Sequence, residues 1–337
     1  MTASVTTTHD LCWPTVDKRT TTHGGEDHGA SLESVREEFR DALIEAGLLI
    51  PMTVDGLYGR GADFEAIVDG IDRAIRHNAG PLQGDRATVL RFPPVFSREA
   101  FERTGYIASF PHLTGAISTF TGDNTAHQEL LADHNAGRPW DGHLNPATSM
   151  LVSAACHPCY SAVSQDIPYT GELIDVYGYC FRHEPAIDPA RMQAFRMHEF
   201  VMIGSPEQAR AHRDGWIPRA VEMFAQVGLA AEPAAANDPF FGRAAVMLAA
   251  NQREGELKTE LIVQLYGDLD TGTAIFSANY HLDHFGHAFA LSTPDGAVAH
   301  SACVAFGMER IALALLRTHG LDPASWPRQV RAALSLS

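Results

Sequence analysis

The chain has 337 residues, a formal net charge of −16 and five cysteines. That length suits one large catalytic domain with an appended segment, or two ordinary domains. The acidic balance excludes a broad nucleic-acid surface, which needs clustered Lys and Arg, but leaves room for a local basic patch. Cysteines this few and odd in number exclude a disulfide framework. No apolar run has the length of a membrane span, and the N-terminus lacks a signal-peptide core, so the expectation is a cytoplasmic globular protein without a membrane partner.

Residues 1–30 are rich in Thr, His and Gly and follow neither the helical nor the strand period, which predicts a disordered tail. Ser31 can cap a first helix carrying Leu32, Val35, Phe39, Leu43 and Ile44 at helical spacing, with Gly47 as its stop. A second helix spans 62–80 and ends at Asn78-Ala79-Gly80. "ATVLRFPPVFSREAF" (87–101) reads as a strand closed by Pro93-Pro94. "LIDVYGYCFRHEP" (173–185) is a strand ending in a charged turn, and "ARMQAFRMHEFVMIG" (190–204) is the strand that returns. "HEPAIDPA", with two prolines, joins them in hairpin fashion. An accessory helical segment at about 205–228 starts at Ser205, has Pro206 at its first position and Gln208 to complete a capping box, and stops at Gly228. Residues 256–267 read as a passage from helix to strand, 273–286 as a strand, and 299–320 as a strand, a Gly turn and a final amphipathic helix. Strands joined by hairpin-scale links predict an α+β fold with an antiparallel sheet rather than a doubly wound parallel one.

Alternate positions of the returning strand are Arg191, Gln193, Phe195, Met197 and Glu199, which would share one sheet face. On the partner strand, Arg182 and Glu184 share a face. Guanidinium forks suit phosphates, so a polyphosphate and a flat base could lie across the hairpin, with Arg182 on the phosphate and Phe195 under the ring. An exposed charged hairpin with one core phenylalanine is the plainer alternative.

The order of three further segments bears on that choice. "FRHE", a loop, then "RxxxFxxxE" resembles motif 2 of the class II aminoacyl-tRNA synthetases. "FGMER", with Gly307, Glu309 and Arg310, resembles their motif 3, and "LRFPPV" their motif 1, whose proline lies at a dimer interface. A narrower resemblance, carried by "LRFPPV", "SFPHL", "AACHP", "YCFRHEP", "DPARMQAFRM", "ANDPFFGR" and "RTHGLD", is to the amino acid:[carrier protein] ligases, homologues of zinc-containing seryl-tRNA synthetases that lack the tRNA-binding arm. It covers nearly all of the chain after about residue 45.

That resemblance implies a class II synthetase-type antiparallel sheet flanked by helices, within one catalytic domain over 31–337. It implies one zinc ion per subunit on Cys156, Glu199 and Cys303, an incomplete ligand set of the kind that marks catalytic rather than structural zinc. It implies ATP with magnesium, held by Arg182, Glu184, Arg191, Met192, Phe195, Ser277 and Arg310. An amino-acid pocket would include Asp238 and Lys258, although a surface salt bridge also explains that pair. The aminoacyl group would pass to the phosphopantetheine thiol of a small acidic carrier protein. Arg210, Arg213 and Arg219, on the helix after Ser205, could contact that carrier or could form an ordinary solvated face. The enzyme would be a homodimer, binding no tRNA and favouring glycine or alanine.

Two decoys remain. "CHPC" has no second CxxC, so Cys159 is expected to be a buried neighbour, like Cys180. His281, His284 and His287 follow a strand-like segment and are not expected to converge on a metal. Ala305 stands where many synthetases have glycine, and "NPATSMLVSAAC" replaces their Thr-x-Glu loop. A seryl-tRNA synthetase would need a coiled-coil or basic tRNA arm. An inactive paralogue would be expected to have damaged ATP motifs, whereas Arg182, Glu184 and Arg310 are present.

Overall fold

The computed structural model describes residues 31–83, 87–236, 238, 241, 252 and 257–336. The tail expected at 1–30, with Cys12, lies outside them, as does most of "ANDPFFGR". Among the described residues no helix is long and apolar enough to cross a membrane.

Ser31 caps the helix Leu32–Glu45, its side chain accepting the Ser34 N–H at 3.1 Å. A short pair, β1 (Leu49–Pro51) and β2 (Tyr58–Arg60), leads into the helix Ala62–Gln83. This helix runs past the expected stop because Gly80 is not left-handed, so no C-cap forms there. The segment 87–101 is not one strand. Pro93-Pro94 divides it into β3 (Thr88–Leu90) and β4 (Val95–Ser97), and Ser97 then caps the helix Arg98–Arg103. Proline has no N–H for a ladder, which explains the break.

β4 pairs with β6 (Asn145–Leu151), which also pairs with β5 (Ala116–Thr119), in a small antiparallel sheet. The main sheet adds β7 (Glu172–Phe181), β8 (Ala194–Gly204), β9 (Glu232–Ala235), β10 (Lys258–Val263), β11 (Thr273–Tyr280) and β12 (His300–Gly307). Its order is β3-β7-β8-β12-β11-β10-β9, with β3 parallel to β7 and every other pairing antiparallel. Lys258 opens β10, while Glu256, where the expected helix-to-strand passage starts, lies outside the described residues.

β8 begins at Ala194, four residues later than the sequence pattern suggests. Arg191, Met192 and Gln193 belong to the turn, because the Gln193 N–H donates to Gly56 O at 2.8 Å and its side-chain amide to Asp55 O at 2.7 Å. Those bonds tie Gln193 to the β1–β2 loop.

Both faces of the sheet are covered. Phe200, Val304, Phe306, Phe276 and Ala278 pack on one side beneath the helices Pro206–Gln226, Met308–His319 and Ala62–Gln83. Trp216 stacks on Phe200 with ring centres 4.9 Å apart and meets Phe306 edge-on at 5.6 Å. The helix Pro206–Gln226, which has the expected capping box, is therefore part of the core layer rather than an appendage. On the other side, Val201, Ile203 and Cys303 pack with Tyr160, Phe285 and Phe289 from the short helices Cys159–Ala162 and His284–Phe289. Gly286 allows that approach, since a Cβ there would lie 2.0 Å from Ala299 O. The helix Met308–His319 is not the last, as Arg328–Ala333 follows it.

Candidate metal centre and nucleotide cleft

β8 and β12 pair with Glu199 opposite Ala305 and Val201 opposite Cys303, so Glu199 and Cys303 are diagonal neighbours on one face. Cys156 reaches them from the turn between β6 and the helix Cys159–Ala162. The three ligand atoms lie within 4.8 Å of one another, and all three residues are buried. The Glu199 carboxylate accepts the Cys156 N–H at 3.3 Å.

Burial, and then the charge of Cys303, push the Glu199 carboxyl up to about 8. A hydrogen bond between the thiols raises Cys156 and lowers Cys303 well below a free thiol. Three acids compressed into one dry corner resist ionising together. A divalent cation would relieve that conflict by replacing protons. Two sulfurs and one carboxylate oxygen, with one coordination position left over, fit zinc.

The cleft, of about 490 Å³, is lined by all three of these residues together with Arg182, Glu184, Met192, Phe195, Asp238, Lys258, Ser277 and Arg310. Phe195 is four residues from Glu199 along β8, about 13 Å at the usual strand rise. Arg182 donates to Ser153 O at 3.1 Å, and its guanidinium lies 5.6 Å from the Phe195 ring centre. Arg310 is fixed to Ala190 O at 2.9 Å and Ala274 O at 3.2 Å. Burial and then the Arg182 charge depress Arg310 below its ordinary value. The two cations repel, which favours an anion between them. Lys258 Nζ lies 2.5 Å from Asp238 and 3.0 Å from Glu260, so this pair belongs to the cleft wall.

Not every expected residue comes to the cleft. Arg191 is half exposed and lies 3.9 Å from Glu184, outside the lining. The three arginines of the helix Pro206–Gln226 do not make one patch. Arg210 is exposed, over the Tyr280 ring at 5.1 Å, and Arg213 pairs with Asp214. Arg219, nine residues from Arg210 and so on the opposite side of the helix, donates to Asn78 O at 2.6 Å. Cys159 and Cys180 are buried, as expected of neighbours rather than ligands. His287 is exposed and pairs with Asp283, but His281 approaches Cys303 at 3.6 Å.

Sequence reasoning also passed over Asn279 and His157, both in the cleft wall. Asn279 could have been found from strand alternation, since Ser277 and Asn279 fall on one face. His157 carries no such signal; burial and then the Arg182 charge lower it to about 3, leaving a neutral ring in the cleft.

The same architecture is seen in the seryl-tRNA synthetase of M. kandleri, crystallised with A. aeolicus tRNASec. It superposes with a TM-score of 0.74 over 88% of this chain and 60% of its own, at 18% identity. The fold is that of the class II aminoacyl-tRNA synthetases. The type-2 serine–tRNA ligase of Methanococcus aeolicus is 26% identical over 54% of this chain, a match spanning 36% of its own length. No family model matches the chain. Amino acid–[acyl-carrier-protein] ligase 2 of Bradyrhizobium diazoefficiens is 42% identical over 299 residues, 88% of each protein. The chain belongs to the amino acid–[acyl-carrier-protein] ligase family.

Proposed function

We propose that the protein activates a small amino acid with ATP and magnesium and transfers it to the phosphopantetheine thiol of an acidic carrier protein. The observation that carries this reading is the shared cleft: a buried Cys156–Glu199–Cys303 group and a repelling Arg182–Arg310 pair line one cavity.

In the first half-reaction the substrate carboxylate attacks the α-phosphorus, the bond to pyrophosphate breaks, and an aminoacyl adenylate forms. Arg182 and Arg310 hold the phosphates and stabilise the charge that gathers on the leaving group. Phe195 stacks on adenine, with Met192 beside it, Glu184 at its edge and Ser277 as a further nucleotide contact. Arg191 enters only as a rim contact, through Glu184. Asp238 and Lys258 border the amino-acid pocket. Cys156, Glu199 and Cys303 would hold one zinc ion per subunit, which would supply a coordination position for an uncharged α-amine and so select against acids without one. In the second half-reaction the carrier thiol attacks the activated carbonyl, AMP leaves, and the thiol proton is released. Arg210 is the retained carrier contact on the helix Pro206–Gln226, with Arg213 beside it. The working unit is a homodimer that does not use tRNA.

Amino-acid-dependent pyrophosphate exchange over a substrate panel, repeated after metal stripping, tests this reading. Exchange should centre on glycine or alanine, vanish without metal and return with zinc. Cys303→Ser should lose bound zinc and exchange together. Full activity in that variant, or no exchange with any amino acid in zinc-replete protein, overturns the proposal.

A further inference from the structure

The two sulfurs of the candidate metal centre have different surroundings. Cys303 faces Asn279 across the β11–β12 ladder, and Asn279 Nδ2 lies 3.6 Å from its sulfur. His281 stands one residue past β11 on the same alternation. The His281 N–H donates to Ser301 O at 2.9 Å, and the Ser301 N–H to Leu282 O at 3.0 Å, so the ladder continues and fixes the backbone. The His281 ring then has polar contacts at both nitrogens. Nε2 is 3.6 Å from Cys303 Sγ, while Nδ1 is 3.1 Å from Ser301 Oγ and 3.3 Å from Tyr160 Oη. Phe285 closes one side, edge-on at 5.0 Å, and itself stacks on Tyr160 at 3.9 Å. Among the described residues no N–H group donates to the Cys156 sulfur.

The hydrogen-bond inventory decides the tautomer. A neutral imidazole carries one N–H and one lone pair. Two hydroxyls beside Nδ1 can each donate to it, whereas a lone pair on Nε2 would face the sulfur lone pairs. The consistent arrangement has Nδ1 accepting from a hydroxyl and Nε2–H pointing at Cys303. We infer that His281 is a positioning residue for the metal centre: its Nε2–H holds the Cys303 sulfur from outside the coordination sphere, with Asn279 as second donor. The inference rests on the metal reading above. His281 lies outside the group whose ligand atoms are all mutually within 4.8 Å, which separates it from the three ligands.

The physical consequence is an unequal pair of thiolates. A hydrogen-bonded thiolate donates less charge to its metal than a bare one, so Cys303 leaves the cation more electrophilic toward an incoming amine. It also stays in place when the open coordination position fills. Partners of this kind, one shell out from the ligands, typically change metal affinity about 10–100-fold.

Cobalt(II) in place of zinc makes the sulfur environment visible. Wild type, His281→Ala and His281→Gln are loaded with cobalt, and zinc affinity is measured by chelator competition on the same proteins. The expected result for His281→Ala is one metal per chain, a sulfur-to-cobalt charge-transfer band moved to longer wavelength, and affinity lowered roughly 10–100-fold. His281→Gln, whose amide N–H can reach the sulfur, should recover most of both. Ser301→Ala, which leaves the ring in place, should move the band the same way by less, and it gives the reading if His281→Ala does not fold. An alanine variant indistinguishable from wild type in band and affinity overturns the inference. So does a loss that glutamine fails to rescue, accompanied by altered ligand-field bands, because that result makes His281 a ligand. Wild-type protein that takes up neither cobalt nor zinc overturns the metal reading itself, a result distinct from the other two.

Discussion

Odd-numbered residues of β8 bring Glu199 to two thiols in the cleft, while even-numbered ones bring Arg196 and His198 to the opposite face, where charges are already paired. Arg196 meets Glu309 at 2.8 Å and Glu65 at 2.5 Å, and Arg60 reaches the same Glu309 at 3.2 Å. His198 sits 2.8 Å from Asp72 and 3.2 Å from Asp175, which in turn meets Arg76 and Arg91. Both faces bury ionisable groups at comparable depth. On one the countercharge comes from the protein; on the other the cation, the nucleotide and the amino acid would supply it. Buried charge paired within the chain serves stability, and buried charge held against its solvation preference marks a place for a ligand.

Substitutions on the two faces should fail in different ways. The largest stability loss is expected from Glu309→Gln, which leaves Arg196 and Arg60 short of a buried partner, at a cost of about 3–5 kcal/mol. Urea unfolding measures it, and a loss below about 1 kcal/mol would mean that Glu65 alone suffices. Arg182→Ala should do the reverse: exchange falls on the order of 10²–10³-fold while the unfolding midpoint moves little, because the repulsion with Arg310 that is removed offsets the bond to Ser153 O and the nearby acidic groups that are lost. A parallel collapse of stability and activity would erase the distinction between the faces.

The pH dependence of stability should differ between the two faces. Burial opposes ionisation of Asp72, but hydrogen bonds from His198 and Arg76 outweigh it and hold its carboxyl at about 2. That lowered value stabilises the fold above the ordinary carboxylate range and is lost as pH falls from about 4 toward 2, by roughly 2 kcal/mol. Glu199 is raised to about 8 from its ordinary value of 4.5, so the folded metal-free protein holds a proton that the unfolded chain has released. Cys303, lowered well below a free thiol, has by contrast released a proton that the unfolded chain keeps, so the two shifts oppose each other and metal-free stability should change little from about 4.5 to about 8. Asp72→Asn should remove the acid-side loss, and the stabilisation that zinc adds should grow as pH rises toward about 8, because zinc displaces the proton held on Glu199. The smallest effects separate the helix arginines. Arg219→Ala should cost about 1 kcal/mol through the lost bond to Asn78, whereas Arg210→Ala should stay within about 0.5 kcal/mol. Carrier-protein transfer should then fall with Arg210→Ala and not with Arg219→Ala.

The β7–β8 hairpin was legible because alternation is a local property of a strand, so Phe195, Met197 and Glu199 could be put on one face from spacing alone. The start of β8 was not, since Gln193 is claimed by Asp55 and Gly56, about 140 residues earlier. The arginines of the helix Pro206–Gln226 looked alike in sequence, and only their neighbours separate them: solvent and Tyr280 for Arg210, Asn78 for Arg219. His281 was set aside as part of a histidine-rich run. Its meaning depends on Cys303, which β12 brings back beside it after a short helix and turn.

The sequence by itself determined the antiparallel strand pattern and the capped helices, because periodicity and capping are written within a few residues of one another; the candidate ligands came from the resemblance that its motifs carry. The tertiary structure alone decided that Cys156, Glu199 and Cys303 converge, that Arg182 and Arg310 repel across one cleft, and that Arg196 and His198 are paired behind it. Those facts depend on strand register and on the packing of distant segments, where contact between residues far apart in the chain sets burial, and burial sets the energy of every charge.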